Sequence, residues 1–310
     1  MRTRMWGVVL AGLGLGYAVP GTTQQVADVA FNPVIETPEY QAGRGPKVVI
    51  DAAHLNFHTA DGGYAPFATL LRRDGYVVES NQDPFTPETL RRAGILVIAN
   101  AMHAQSEADW APLPNLSAFT DAEIVALEKW VREGGSLLLV ADHMPLAGHA
   151  EALAAAFGIR FQNGFALDDA RRGTITFRRS EGSLPANVIV DGRRPDERVE
   201  FVTTFTGQAF RLDPTLDAEP LLICPDGYTL FLPEVAFKFS DSTPRIPAAH
   251  LLQGAIVRYG QGRVAVFGEA AMFSAQRSGP DKTPMGMNAP SARQNYRFAL
   301  NIMHWLSGAL

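Results

Sequence analysis

Short apolar runs without strict alternation, each followed by a segment of helical periodicity, constrain this chain most. Lys47-Val-Val-Ile50 ends in Asp51, and Tyr64 to Arg73 follows with Tyr64, Phe67, Leu70 and Leu71 at helical spacing. The alternation continues through Tyr76-Val-Val78, Pro87 to Arg92, Ile95-Leu-Val-Ile98, the helix Asp121 to Glu133, and the apolar run Ser136 to Ala141. Strands that are apolar throughout have both faces covered. Strand and helix in alternation therefore predict a doubly wound, mostly parallel sheet of flavodoxin-like layout. The helix at Asp121 is the best marked. Thr120 and Glu123 form a Thr-x-x-Glu capping box, Gly134-Gly135 stops the helix, and Ile124, Leu127 and Val131 form its buried face.

From about residue 160 to 247 the texture changes to short β-type runs separated by Gly, Pro and Asp. These include Thr174-Ile-Thr-Phe177, Asn187-Val-Ile-Val190, Phe201-Val-Thr-Thr204 and Leu221-Leu-Ile-Cys224. They read as a β-rich insertion. The chain returns to the sheet with Ala255 to Tyr259, a Gly260-Gln-Gly262 turn and Arg263 to Phe267, and ends in a helix from about Ser291 to Leu306. The domain plan is an export segment or N-terminal anchor over 1–30, a linker over 31–45, and one α/β domain over 46–310.

The export reading rests on Met1-Arg-Thr-Arg-Met5, the apolar stretch Trp6 to Val19, and Pro20-Gly21 before a polar run. The stretch is short for a bilayer span, so contact with a membrane is expected only through this segment, and the domain is expected outside the cytoplasm, in a periplasmic setting. The formal net charge of -5 gives no basic stripe for a phosphate backbone, which argues against nucleic acid as partner. Cys224 is the only cysteine, so the chain has neither an internal disulfide nor a multi-cysteine metal site.

In an open α/β sheet, ligands bind outside the carboxyl ends of the strands. The residues there are unusually polar: Asp51, His54, Asn56 and His58; Asn100 and His103; Asp142 and His143; and Glu269. Three chemistries can use such a set. His54, Asp142 and His143, with His103 and Glu269 nearby, offer imidazole and carboxylate ligands to a divalent metal. Alternatively His143 or His54 is a general base oriented by Asp142 or Glu269. Ser274 is a third option as nucleophile, although no Gly-x-Ser-x-Gly elbow surrounds it. Plainer readings stand beside these. Each histidine alone is more often a hydrogen-bonded structural residue, Gly62-Gly63 opens the first helix, His304 and Trp305 are core, and Met285 to Asn288 is a loop that either covers the site or only lies on the surface.

The blocks Asp51-Ala-Ala-His54-Leu-Asn56, Phe119 to Ile124 continuing through Trp130-Val131 to Gly134-Gly-Ser-Leu-Leu-Leu-Val-Ala-Asp142-His143, and Gly262-Arg-Val-Ala-Val-Phe-Gly-Glu269-Ala resemble the class I glutamine amidotransferase-like superfamily. The likeness is to its uncharacterised exported members and the trehalose-utilisation type, over roughly 46–158 and 251–308. It implies the fold and the location of the site. In that superfamily a cysteine nucleophile sits on the turn that here reads Ala141-Asp142-His143, and Cys224 lies elsewhere, so glutaminase chemistry is not expected. Two readings follow. The first is a hydrolase acting on a small polar or carbohydrate molecule through His54, Asp142, His143 and Glu269, with Asn56, His103 and Gln276 as substrate-binding groups. The second is a non-catalytic ligand- or partner-binding module of the same fold.

Overall fold

The computed structural model describes residues 25–104, 113–168, 170 and 172–310. The first strands in chain order are β1 (Val26–Ala27), β2 (Lys47–Asp51), β3 (Val77–Asn81), β4 (Ile95–Ala99) and β5 (Ser136–Val140). They are followed by β6 (Ile159–Phe161), β7 (Phe165–Asp168), β8 (Ile175–Arg178), β9 (Phe201–Thr204), β10 (Phe210–Leu212) and β11 (Asp217–Ile223). The last are β12 (Tyr228–Phe231), β13 (Arg245–Pro247), β14 (Leu252–Tyr259), β15 (Gly262–Phe267), β16 (Ala275–Ser278) and β17 (Thr283–Gly286). The helices are α1 (Ala65–Arg73), α2 (Pro87–Leu90), α3 (Asp121–Arg132), α4 (Leu146–Ala156), α5 (Val188–Asp191) and α6 (Asn295–Ser307).

The main sheet runs β3-β2-β4-β5-β15-β14-β10-β6, with β11 also paired to β14. Its first five strands are parallel, and β14, β10, β6 and β11 extend it antiparallel. This is the doubly wound arrangement that the sequence pattern predicts. The side-chain alternation explains the continuous apolar runs. Val48, Ile50, Leu138 and Val140 enter the core under α1 and α6, whereas Val49, Leu137 and Leu139 enter the one under α3 and α4. With both faces buried, neither set can be polar.

Two local expectations change, at Asn187 and at 31–45. The expected β-rich insertion is antiparallel: β6, β10 and β11 extend the main sheet through β14, while β7, β12 and β13 form a second sheet and β8 and β9 a third. Asn187-Val-Ile-Val190 is not a strand. The Asn187 side chain accepts the N–H groups of Ile189 and Val190 and so starts the short helix α5. Helix α4 carries no amphipathic signal because buried Ala147, Ala150, Leu153 and Ala154 leave it with little polar surface. Residues 31–45, expected as a linker, form a strap packed on the core through Phe31, Ile35 and Tyr40. The strap begins where Val26 pairs with Arg277, and the Tyr40 hydroxyl donates to Ser307 Oγ at 2.9 Å. The apolar stretch Trp6 to Val19 lies outside the described residues. Among the described residues no helix is long and apolar enough to cross a membrane.

Candidate functional site

The strand order reverses at β2, which has β3 on one side and β4 on the other, so the crevice of a doubly wound sheet opens at the carboxyl ends of β2 and β4. The loop after β2 is built around His54. Its Nδ1 lies 2.7 Å from Asp51 Oδ2 and its Nε2 lies 2.9 Å from Glu123 Oε1, with the Phe85 and Phe119 rings at 4.5 and 4.7 Å. Burial alone would lower its pKa, but the hydrogen bonds and charges of Asp51 and Glu123 outweigh burial and raise it. With a carboxylate oxygen at each ring nitrogen, the doubly protonated ring is the form that donates to both. Both nitrogens are engaged, so the ring offers neither a lone pair to a metal nor a base to a substrate. Asn56 turns inward too, accepting the N–H of His54 at 3.2 Å and donating to the carbonyl of Ala99 at 3.4 Å.

The loop after β4 starts on Asn100, whose φ of 52° places a non-glycine residue in the left-handed region. Asparagine tolerates that conformation, and here its Oδ1 accepts the N–H of Asp142 at 2.9 Å while its carbonyl accepts the N–H of Phe57. Three loops are thereby joined through one residue. Asp142 follows β5, and its carboxylate accepts the N–H of His143 at 2.7 Å. The His143 Nε2 stands 4.0 Å from Asp142 Oδ1, its Nδ1 faces the Met144 carbonyl at 2.8 Å, and its ring stacks on Phe165 at 4.6 Å. Phe237 approaches the same ring edge-on at 4.9 Å.

Glu269 follows β15 and is 0% exposed. Its two oxygens accept the N–H groups of Ala271 and Met272, both at 2.8 Å. Burial, and then the charge of Asp142, push its carboxyl well above the usual range, and burial also raises Asp142. The two acids thus form a buried pair whose joint ionisation is resisted. Tyr64 senses both charges, and its hydroxyl donates to the carbonyl of Ala270 at 3.0 Å. Ser274 is fully buried, donates to the carbonyl of Ala271 and accepts from Gln276 Nε2, so neither its hydroxyl nor Gln276 is presented to a substrate. Cys224 is buried at the end of β11, and burial pushes its thiol up to about 12.

The structure thus divides the predicted residues into two inward-facing clusters. His54 and Asn56 belong to one, with Asp51 and Glu123; Asp142 and Glu269 belong to the other, with Tyr64 and Ala270. His54, Asp142 and His143 do not come together as one metal-ligand set. Among the described residues the trio whose ligand atoms lie within 4.8 Å of one another is Glu39, Glu197 and His304. Arg193 bridges that pair of glutamates at 2.5 and 2.8 Å and neutralises them. His304 is core, as expected, but its Nε2 is 2.7 Å from Asp74. His103 lies close enough for its charge to lower His149, for which burial is the larger cause; His149 Nδ1 meets the Leu116 carbonyl at 2.7 Å. Met285 belongs to β17 rather than to a loop over the site.

Sequence reasoning missed Glu123 as a site residue because its helix-capping role was sufficient explanation. One carboxylate does both jobs, accepting from Thr120 through Oε2 and from His54 and Phe85 through Oε1. It also missed Phe57, whereas Phe237 stands among the insertion aromatics that support the binding reading. Phe57 is 43% exposed and Phe237 is 53% exposed, with Leu55, Leu113 and Leu116 also out on the loops of this edge. A single apolar residue in a polar loop carries no periodic signal.

The fold and its strand edge define a doubly wound α/β domain with a polar, internally bonded set of loops at the carboxyl ends. Among solved structures it is similar to the mmIFT52 N-terminal domain, with a TM-score of 0.58 and 15% identity over 84% of this chain and 97% of that one. At that identity the likeness is one of fold. A cytoplasmic protein, STM3548 from Salmonella typhimurium, aligns at TM-score 0.49 and 13% identity, covering 84% of this chain and 98% of its own. A ThuA-like protein from Bacteroides uniformis aligns at 0.46 and 12%, covering 89% and 94%. No family model matches the sequence, and no curated protein matches it.

Proposed function

We propose that this chain is a non-catalytic binding module of the glutamine amidotransferase-like superfamily, exported from the cytoplasm, that holds a small polar molecule of carbohydrate type at its strand-carboxyl edge. One observation carries the reading: the groups a hydrolase would use are bonded inward, while rings stand outward beside them. His54 is held between Asp51 and Glu123, Glu269 is sealed on two backbone N–H groups, and the nucleophile position is Asp142. Phe57 and Phe237 flank this set, linked through Asn100, Asp142 and His143. Exposed aromatic faces beside fixed polar groups suit the apolar faces and hydroxyls of a sugar ring.

The test is a panel of neutral and acidic oligosaccharides offered to the purified protein, read in parallel for binding and for release of product. Binding without turnover, lost in a Phe57→Ala/Phe237→Ala variant of unchanged melting temperature, supports the module. Turnover that disappears in Asp142→Asn would instead establish the hydrolase reading, which the buried acid pair Asp142 and Glu269 favours. Export is tested separately, by locating the full chain and a variant lacking residues 1–24 in fractionated cells.

A further inference from the structure

A second candidate site lies away from the strand edge, between the strap and the first turn of α6. A cavity of about 460 Å3 opens there, lined by Asp28, Phe31, Arg277, Asn288, Arg293 and Tyr296 among others. Its volume is in the range that holds a small organic molecule. One wall is preassembled. Asp28 Oδ2 accepts from Arg277 Nε and from Asn288 Nδ2, both at 2.9 Å, and Asn288 Nδ2 also reaches the Gln276 carbonyl at 2.9 Å. Arg277 is thus fixed through Nε alone, and its two terminal nitrogens have no partner among the described residues. Arg293 has no carboxylate partner among the described residues either; its guanidinium lies 4.8 Å from the centre of the Phe201 ring. Phe31 and Tyr296 add two aromatic rings to the lining.

Two guanidinium groups against one carboxylate give this cavity a cationic lining on a chain whose formal net charge is -5. A guanidinium fork matches the paired oxygens of a carboxylate or phosphate, and two forks beside two rings match such a group joined to an apolar body. We propose that this cavity binds a small organic anion, with Arg277 and Arg293 receiving the charged oxygens and Phe31 and Tyr296 receiving the body. A neutral molecule would leave Arg293 without a counter-charge and the Arg277 fork unfilled, so the site differs in ligand class from the strand edge.

The experiment titrates the full chain with phenyl phosphate, with phenol as the uncharged control and inorganic phosphate as the control without a body. Calorimetry should show saturable binding of phenyl phosphate that weakens as salt is raised, weaker binding of phosphate and none of phenol. Arg293 is exposed, so Arg293→Gln should keep the melting temperature and weaken phenyl phosphate roughly tenfold. Arg277→Lys keeps the charge but removes the fork, and should also weaken it. Absence of saturation in the millimolar range, or parental affinity in Arg293→Gln, overturns the proposal. Equal binding of phosphate and phenyl phosphate overturns the aromatic half of it. The Phe57→Ala/Phe237→Ala variant should bind phenyl phosphate like the parent, which separates this site from the strand-edge reading.

Discussion

Glu123 and His54 meet at 2.9 Å across 69 residues of chain, joining the first turn of α3 to the loop after β2. The same carboxylate caps α3 through Thr120 and holds the N–H of Phe85, so three segments converge on one side chain. The two acids facing the imidazole favour its charged form, and removing His54 leaves two carboxylates on one another without the cation between them.

His54 makes stability depend on alkaline pH. Its folded pKa is raised above the ordinary value of 6.5, so its contribution is complete below that value and is lost as pH rises through the folded pKa. Glu123 acts on the acid side. Burial would raise it, but the Thr120 and His54 bonds dominate and hold its carboxyl down to about 2, so its contribution is lost as pH falls from about 4.5 towards 2. Thermal melts from pH 6 to 9 should show a falling melting temperature, and His54→Ala should flatten that slope while costing roughly 3 kcal/mol at pH 6. An unchanged slope in the variant would mean that His54 is neutral in the folded protein.

Asp142 and Glu269 have raised folded pKa values, so their contribution is present at low pH and is lost as pH rises through those values. Neutralising one acid relieves the other. Asp142→Asn is expected to be more stable than the parent at pH 8 by on the order of 1 kcal/mol, with the difference vanishing near pH 4. Chemical denaturation at the two pH values measures it.

Asn100 combines a left-handed backbone with a buried acceptor, and the two roles separate by substitution. Asn100→Gly keeps the conformation and loses only the bond to the Asp142 N–H, a cost of roughly 1 to 3 kcal/mol. Asn100→Ala adds the left-handed penalty and should be less stable than Asn100→Gly by about 1 kcal/mol. Equal stabilities would show that the backbone relaxes out of that region.

The strap depends on Arg193, which donates to Glu39, Glu197 and the carbonyl of Ala309. Arg193→Ala leaves buried Glu197 with Arg194 as its remaining ion-pair partner. Limited proteolysis should then cut within 31–45 faster than in the parent, while the main transition moves by only a few degrees.

The parallel sheet was readable because it needs apolar residues on both faces, and Lys47 to Asp51, Ile95 to Ala99 and Ser136 to Val140 carry that requirement in consecutive residues. The capping box at Thr120 was readable for a similar reason: its partners are three residues apart. His54 was visible as a polar residue after a strand. Its function as a clasp was not, because its partner Glu123 is distant in sequence and already had a local explanation. The strap reads as a linker because its anchors, Phe31, Ile35 and Tyr40, follow no period and are held by residues distant in sequence, as Tyr40 is by Tyr76 and Ser307.

That last arrangement dictates an order of events during synthesis. Two of the strap's anchors, Val26 on β16 and Tyr40 on Ser307 of α6, lie late in the chain, and β15 fills its place beside β5 only after residue 262 has been made. Until the residues after 262 leave the ribosome, the parallel sheet stops at four strands and the first segment holds only to the turn between α1 and β3, through Asp74, Gly75 and Tyr76. A nascent chain of this design completes its sheet and fastens its first segment only when translation is nearly over.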